Sequence, residues 1–330
     1  MQRFVFPYSG TLLVTHLAAY GLAVALDAAG IDAFVGHDRD SQSFEPLVAF
    51  AGEFDAARAA VRATAEQTGS IVEHDIESGK TLNDRRATIW ARASLDKDSD
   101  RLARMVALRA PLVEVADADA SGIAIGLLAG MGSPLTWGPP RLKSSAGATA
   151  LDGVIGNHTS DFVRGVLRPM RRAAVDTHCD PFLASEAQTS FDKTGWAPPG
   201  TRIRDVHQWL AVLGLALLPV AHRQTARSRT PARWVRPGGS SGITLPVLRS
   251  PCSVPRVRAL LALRELAQIT RSADLIDPKV AQSAGVLRSF EVEEVVVFRR
   301  RERAGAGSSV AFDFRRGERI ELRVSAQMGT

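Results

Sequence analysis

Only two cysteines, Cys179 and Cys252, occur in the 330 residues. That excludes a disulfide framework and leaves no Cys-x-x-Cys pair for a structural zinc, so a reducing, cytoplasmic setting is the expectation. Lysine is nearly as scarce: of 41 basic residues, five are lysine (Lys80, Lys97, Lys143, Lys193 and Lys279) and the others arginine. The apolar stretch from Thr11 to Ala29 approaches the length of a membrane span. It carries His16, Tyr20 and Asp27, however, and has neither a basic leader nor a cleavage-like signature, so it reads as a buried helix. There is no phosphate-cradling Gly-x-x-x-x-Gly-Lys-Ser/Thr, no nucleophile elbow, no dinucleotide fingerprint and no histidine–asparagine–histidine constellation. No cofactor, no metal and no catalytic residue is therefore expected.

Hydrophobic content of 45% is enough for a large core, and the net charge of +6 favours anionic partners. Periodicity predicts a mixed chain. Arg3 to Tyr8 alternates like a strand, and a helix follows up to a C-terminal cap at Gly30. Ala33 to Gly36 and Leu47 to Ala51 read as short strands, and Asp55 to Thr68 as a helix. Helical patterning resumes over Leu82–Leu108, interrupted near Asp96–Asp100, and over Asp161–Ala174, Ile203–Leu217 and Val254–Ile269, while Ser121–Met131 suits a tightly packed helix or strand. Ile243–Leu248, Val292–Arg299, Val310–Phe314 and Ile320–Val324 read as strands, with a basic turn from Arg300 to Ser309. The fold class expected is α+β, with an N-terminal mixed strand-helix domain, a helical middle and a C-terminal β-hairpin region. A domain boundary is expected between residues 132 and 133.

The arginines cluster. Between His222 and Gly242 five of them (Arg223, Arg227, Arg229, Arg233 and Arg236) accompany Trp234 without one acid. Pro and Gly break that stretch too often for a long helix, so an exposed, mobile arm is expected, either for a polyanion or merely solvated. Guanidinium forks pair with phosphate oxygens and an indole stacks on a base. On a helix over Asp161–Ala174, Arg164, Arg168 and Arg171 or Arg172 would share one face, with Pro169 kinking or dividing it. Arg141 and Lys143 lie beside Trp137 in a Pro-rich loop, and Arg299, Arg300 and Arg301 open the basic turn, which Arg315 and Arg316 continue. These residues are the candidate nucleic-acid contacts.

Two His-Asp pairs, His37-Asp38 and His74-Asp75, and the cluster Asp176, His178, Cys179 and Asp180 are the only groupings that suggest hydrolytic metal chemistry. Neither has the paired spacing that a closed site needs, and Asp38 and the Cys179 loop read more simply as a turn residue and a buried thiol.

Four blocks, Thr15 to Gly30, Trp196 to Gly200 with Gln208 to Val220, Leu245 to Leu266 and Gly285 to Phe290, resemble the CRISPR-associated large subunits of type I systems formerly classed as subtype U and now as subtype G. Thr15 to Gly30 is similar to their first helix. Trp196-Ala-Pro-Pro-Gly200 with Gln208 to Val220 is similar to their central helix, and Leu245 to Leu266 to the strand and helix that follow. Gly285-Val-Leu-Arg-Ser-Phe290 introduces a terminal basic hairpin of similar style. The blocks cover about half the chain. The resemblance implies a non-catalytic Cascade subunit for antiviral defence, binding crRNA, double-stranded target DNA, the protospacer-adjacent motif and the other subunits, with no membrane partner. In such a complex base pairing reads the target and protein reads the short flanking motif. A metal-dependent hydrolase and a standalone nucleic-acid-binding regulator are the alternatives.

Overall fold

The computed structural model describes residues 1–38, 43–78, 122–130, 167–176, 179–183, 189–218, 221–223, 226–229, 232–235, 241–303 and 311–323, with isolated positions at 110, 114 and 117. It is an α+β chain of helices and antiparallel sheets. The N-terminal part runs β1 (Gln2–Val5), α1 (Leu13–Ala28), β2 (Ala33–His37), β3 (Pro46–Phe50) and α2 (Phe54–Ser78). β3 lies between β1 and β2 and is antiparallel to both, pairing Phe4 with Val48 on one side and Val35 with Val48 on the other. β1 and β2 are therefore parallel to each other, and β1-α1-β2 is a split βαβ unit with β3 in its gap.

Helix α1 is the centre of the molecule. Every residue from Leu13 to Leu26 is buried, which is what an apolar pattern on all faces of a helix demands in water. No helix among the described residues is long and apolar enough to cross a membrane. The helix stops at Gly30, whose φ of 74° is cheap only for glycine. Ile31 N–H then donates to Leu26 O and Gly30 N–H to Asp27 O, closing a Schellman cap.

The middle of the chain packs on α1. Helix α3 (Ile123–Gly130) and helix α4 (Arg168–Val175) come first, with Pro169 in the first turn of α4, where its missing N–H costs nothing. A small hairpin of β4 (Thr189–Phe191) and β5 (Arg202–Arg204) then leads into α5 (Asp205–Leu213). The helix expected over Ile203–Leu217 is divided: its start is the end of β5, and Gly214–Leu217 tightens into a 3₁₀ turn. Between β4 and β5 the Asp192 carboxylate accepts from Thr194 N and Oγ1, Gly195 N and Ala197 N. That knot aims Trp196 O at Val14 N–H in the first turn of α1.

The C-terminal part begins with the hairpin β6 (Ala221–Arg223) and β7 (Ala226–Arg229), then β8 (Arg233–Val235) and β9 (Ser241–Val247). The mobile arm expected here is corrected: backbone pairing holds three of its segments as strands. β10 (Cys252–Ser253) then adds to the outer edge of β2. Helix α6 (Val254–Leu261) ends short of the Ile269 expected, and Arg264–Gln268 is a 3₁₀ segment. Helix α7 (Pro278–Ser289), capped by the Asp277 side chain on Lys279 N–H, has no counterpart among the expected elements. β11 (Glu294–Arg303) runs through the positions expected to begin a turn and pairs with β9, β12 (Ala311–Phe314) and β13 (Glu318–Glu321). The helix expected over Leu82–Leu108, residues 161–166 of the helix expected over Asp161–Ala174, and the boundary at 132/133 lie outside the described residues. One buried cluster spans both sides of that boundary, from Phe4 to Leu322.

The α1–α5 contact is made by reciprocal glycines. A Cβ on Gly21 would overlap Leu210 O of α5, and a Cβ on Gly214 would overlap Leu17 O of α1. Gly21→Ala or Gly214→Ala should therefore cost at least about 2 kcal/mol in chemical denaturation, because backbone must move in a packed core. Gly285, with nothing within 4 Å of a Cβ, is the control: Gly285→Ala, in mid-helix, should be neutral or stabilising. Equal effects at all three would contradict the packing.

Candidate nucleic-acid interface

The basic turn is where the structure gathers the expected arginines best. β11 is buried through Phe298 and emerges at Arg299, so the side chains of Arg299, Arg300 and Arg301 alternate between the two faces of the strand. Arg299 and Arg301 are exposed on one face, and Arg300, on the other, is partly buried. The connection from β12 to β13 returns beside them: Arg315 N–H donates to Arg299 O at 2.9 Å. Arg316 Nη1 reaches Thr11 Oγ1 at 3.3 Å, while Gly317 N–H donates to Thr11 O. Arg299, Arg301, Arg315 and Arg316 thus lie near one end of the sheet, with Glu318 3.2 Å from Arg299 as a counter-charge.

Nearby arginines have a different task. Glu294 on β11 is 1% exposed and holds Arg249 on one side and Arg319 on the other. The two guanidinium groups keep its carboxyl below the usual range against the opposing effect of burial. Arg204 is likewise buried, donating to Asp180 O at 2.7 Å and to Leu183 O. Sequence reasoning passes over Arg204, Arg249 and Arg319, because an arginine's local sequence does not reveal which backbone carbonyl or carboxylate will meet it.

One further expected contact, Trp234, needs correction. Trp234 is only 6% exposed and cannot offer its ring to a base in this conformation. Its register partner on β9 is Gly242, and a Cβ there would collide with the indole, so the absent side chain is what admits the ring. Arg168 and Arg171 on α4 are partly buried, and the Arg171 guanidinium lies against Gly69 of α2; of the expected stripe, Arg172 is exposed. Arg223, Arg227, Arg229 and Arg233 contribute backbone to β6, β7 and β8. Arg141, Lys143, Arg164 and Arg236 lie outside the described residues.

His16, His37 and His207 are structural. Gly10 O can only accept, so His16 Nε2–H donates to it at 2.7 Å, which leaves His16 Nδ1 as an acceptor for His37 Nε2–H at 3.3 Å. His37 Nδ1 in turn accepts from Leu248 N–H at 2.9 Å. One neutral tautomer of each ring satisfies the whole chain of bonds. A second relay repeats the logic: Arg204 N–H donates to Tyr8 Oη, Tyr8 O–H to His207 Nδ1, and His207 Nε2–H to Pro181 O. With both nitrogens engaged, neither His16, His37 nor His207 has a lone pair for a metal. Asp38 pairs with Arg3 at 2.8 Å and Asp180 with Arg58 at 2.7 Å. Cys179 is buried near Arg204, and burial pushes its thiol up. Among the described residues no group of three or more His, Cys, Asp or Glu could hold a metal ion. His178 and the side chains of His74 and Asp75 lie outside them.

Comparison with protein-family models and with curated proteins finds no match for this chain.

The relays make stability depend on pH. Burial holds His16 and His207 at about 4, and burial with the neighbouring His16 ring holds His37 well below its ordinary value. The unfolded chain therefore binds more protons, so this stability is complete above about pH 6.5 and is lost as pH falls towards the folded values. Denaturation at pH 8 and pH 5 should differ by about 2 kcal/mol for each of His16 and His207. Asp192, whose carboxyl burial raises, acts with the opposite sign. His207→Gln isolates one share and should flatten the dependence. A wild-type stability that does not fall between pH 8 and pH 5 would refute the neutral relays.

Proposed function

We propose that this chain is a non-catalytic subunit of an RNA-guided DNA surveillance complex, binding crRNA and target DNA and docking on the other subunits. The observation that carries the reading is the group of exposed arginines, Arg299, Arg301, Arg315 and Arg316, held near one end of a paired antiparallel sheet. Guanidinium groups fixed by paired backbone form phosphate contacts with less ordering cost than the same groups on a loose arm. The resemblance of α1, α5 and the β9–α6 region to the large subunits of compact type I systems supplies the biological setting, a cytoplasmic one. Of the residues that would otherwise suggest hydrolysis, His37, Asp38 and Asp180 are engaged in a relay and in ion pairs that hold the fold.

The work of such a subunit is electrostatic and steric. Phosphate contacts set register on the duplex, and an arginine aimed at guanine O6 and N7 reads sequence. In this reading Arg141, Lys143 and the arginines of 223–236 are the reserve from which the flanking-motif reader comes.

Replacing Arg299, Arg301, Arg315 and Arg316 together with Ala tests the proposal by salt titration of duplex binding. The slope of log K against log salt should shrink by about 3 to 4 units, near 0.9 for each lost phosphate contact. Thermal melting should move little, since exposed charges contribute little to stability. An unchanged slope with intact fold would overturn the assignment of these residues.

A further inference from the structure

A cleft of about 630 Å³ separates the 3₁₀ segment Arg264–Gln268 from helix α7. Its helical wall is a single face: Lys279, Gln282, Ser283 and Val286 recur at i, i+3, i+4 and i+7. The opposite wall carries Arg264 and Gln268, with Ala267 between them.

The chemistry of the lining is that of unused donors around an apolar strip. Arg264 is 86% exposed, and its one ion pair runs from Nε to the adjacent Glu265 at 3.2 Å, so both Nη groups remain available. Lys279 is exposed and makes no ion pair among the described residues; its backbone N–H, not its ammonium, is what Asp277 caps. Gln268 and Gln282 are exposed, with no hydrogen bond from either carboxamide among the described residues. Ala267 and Val286 give a narrow apolar surface between these polar groups. Glu265 is the acid of the lining; its side chain is 17% exposed and meets Arg264 through Nε alone, so the two cations outnumber the acids by one.

We propose that this cleft holds the phosphodiester backbone of a single strand of nucleic acid, with Arg264 and Lys279 on phosphates, the two glutamines on sugar or phosphate oxygens, and Val286 and Ala267 against a sugar or base face. Two cations and two amide donors flanking an apolar strip fit the alternation of charge and hydrophobic surface along such a strand. The inference rests on the nucleic-acid reading given above, but it places a strand at a surface that none of the expected contacts includes.

The probe is a fluorescein-labelled oligo-dT of about twenty nucleotides, long enough to exceed one single-strand site, followed by anisotropy against salt. For Arg264→Ala/Lys279→Ala we expect the log–log slope to fall by about 1.4, at 0.7 per phosphate on a single strand. A bromouracil-substituted oligo-dT should crosslink to the peptide spanning 264–289. An unchanged slope and no crosslink there overturn the cleft assignment. If duplex binding still depends on Arg299, Arg301, Arg315 and Arg316, the broader reading survives that result. Absence of any binding by the wild-type chain to oligo-dT or duplex would remove both. Both substitutions are on exposed side chains, and melting curves for the double variant verify that the fold is intact.

Discussion

The complete burial of helix α1 is the constraint on which the other elements depend. An amphipathic helix can keep one side wet, but α1 has no polar side to offer, so it must be surrounded. The N-terminal sheet covers part of it, α2 and α3 a second part, and α5 a third, approaching so closely that only glycine fits at Gly21 and Gly214. β10 and α6, far along the chain, complete the enclosure. A helix enclosed by segments from both halves of the chain accounts for the continuous core of the described residues.

Burial on this scale brings polar groups inside, and the two histidine relays are how the His16, His37 and His207 rings are satisfied. His16 lies on α1 itself, and His37 joins it to Leu248, whose carbonyl also accepts from His37 N–H at 3.0 Å. Tyr8 and His207 do the same between the end of β1, the entry to α5 and the 179–183 loop. Each relay connects segments roughly 200 residues apart and leaves no ring nitrogen unpaired. The Glu294 cluster is the charged counterpart. Removing the partners of its buried member, the Glu294 carboxylate, leaves that charge unpaired in low dielectric, which costs more than the pairs themselves contribute.

What the sequence makes legible is what depends on local pattern. The burial of α1, strands β2, β3 and β9, and the Gly30 stop follow from hydrophobic period and one glycine. What it hides is non-local. His37 meets Leu248 across 211 positions, and no spacing rule announces that. Trp234 looks like a stacking residue because its sequence neighbours are arginines; its true neighbour is Gly242, set by strand register. Helix α7 escapes periodicity because its apolar and polar residues are mixed, although Asp277-Pro278 is a start signal in its own right. The exposed end of β11 is half legible: the arginines stand out, but a turn is expected where paired strand continues to Arg303.

The central claim is that a rigid, fully enclosed scaffold presents arginines to nucleic acid within an RNA-guided complex. Isolating the chain from its native cells at low salt and sequencing the RNA that accompanies it tests that claim most directly. The predicted result is RNA of discrete length carrying a common repeat-derived segment joined to variable spacers, together with several copies of a backbone subunit. Recovery of the chain alone, or with RNA that shares no such segment, would contradict it.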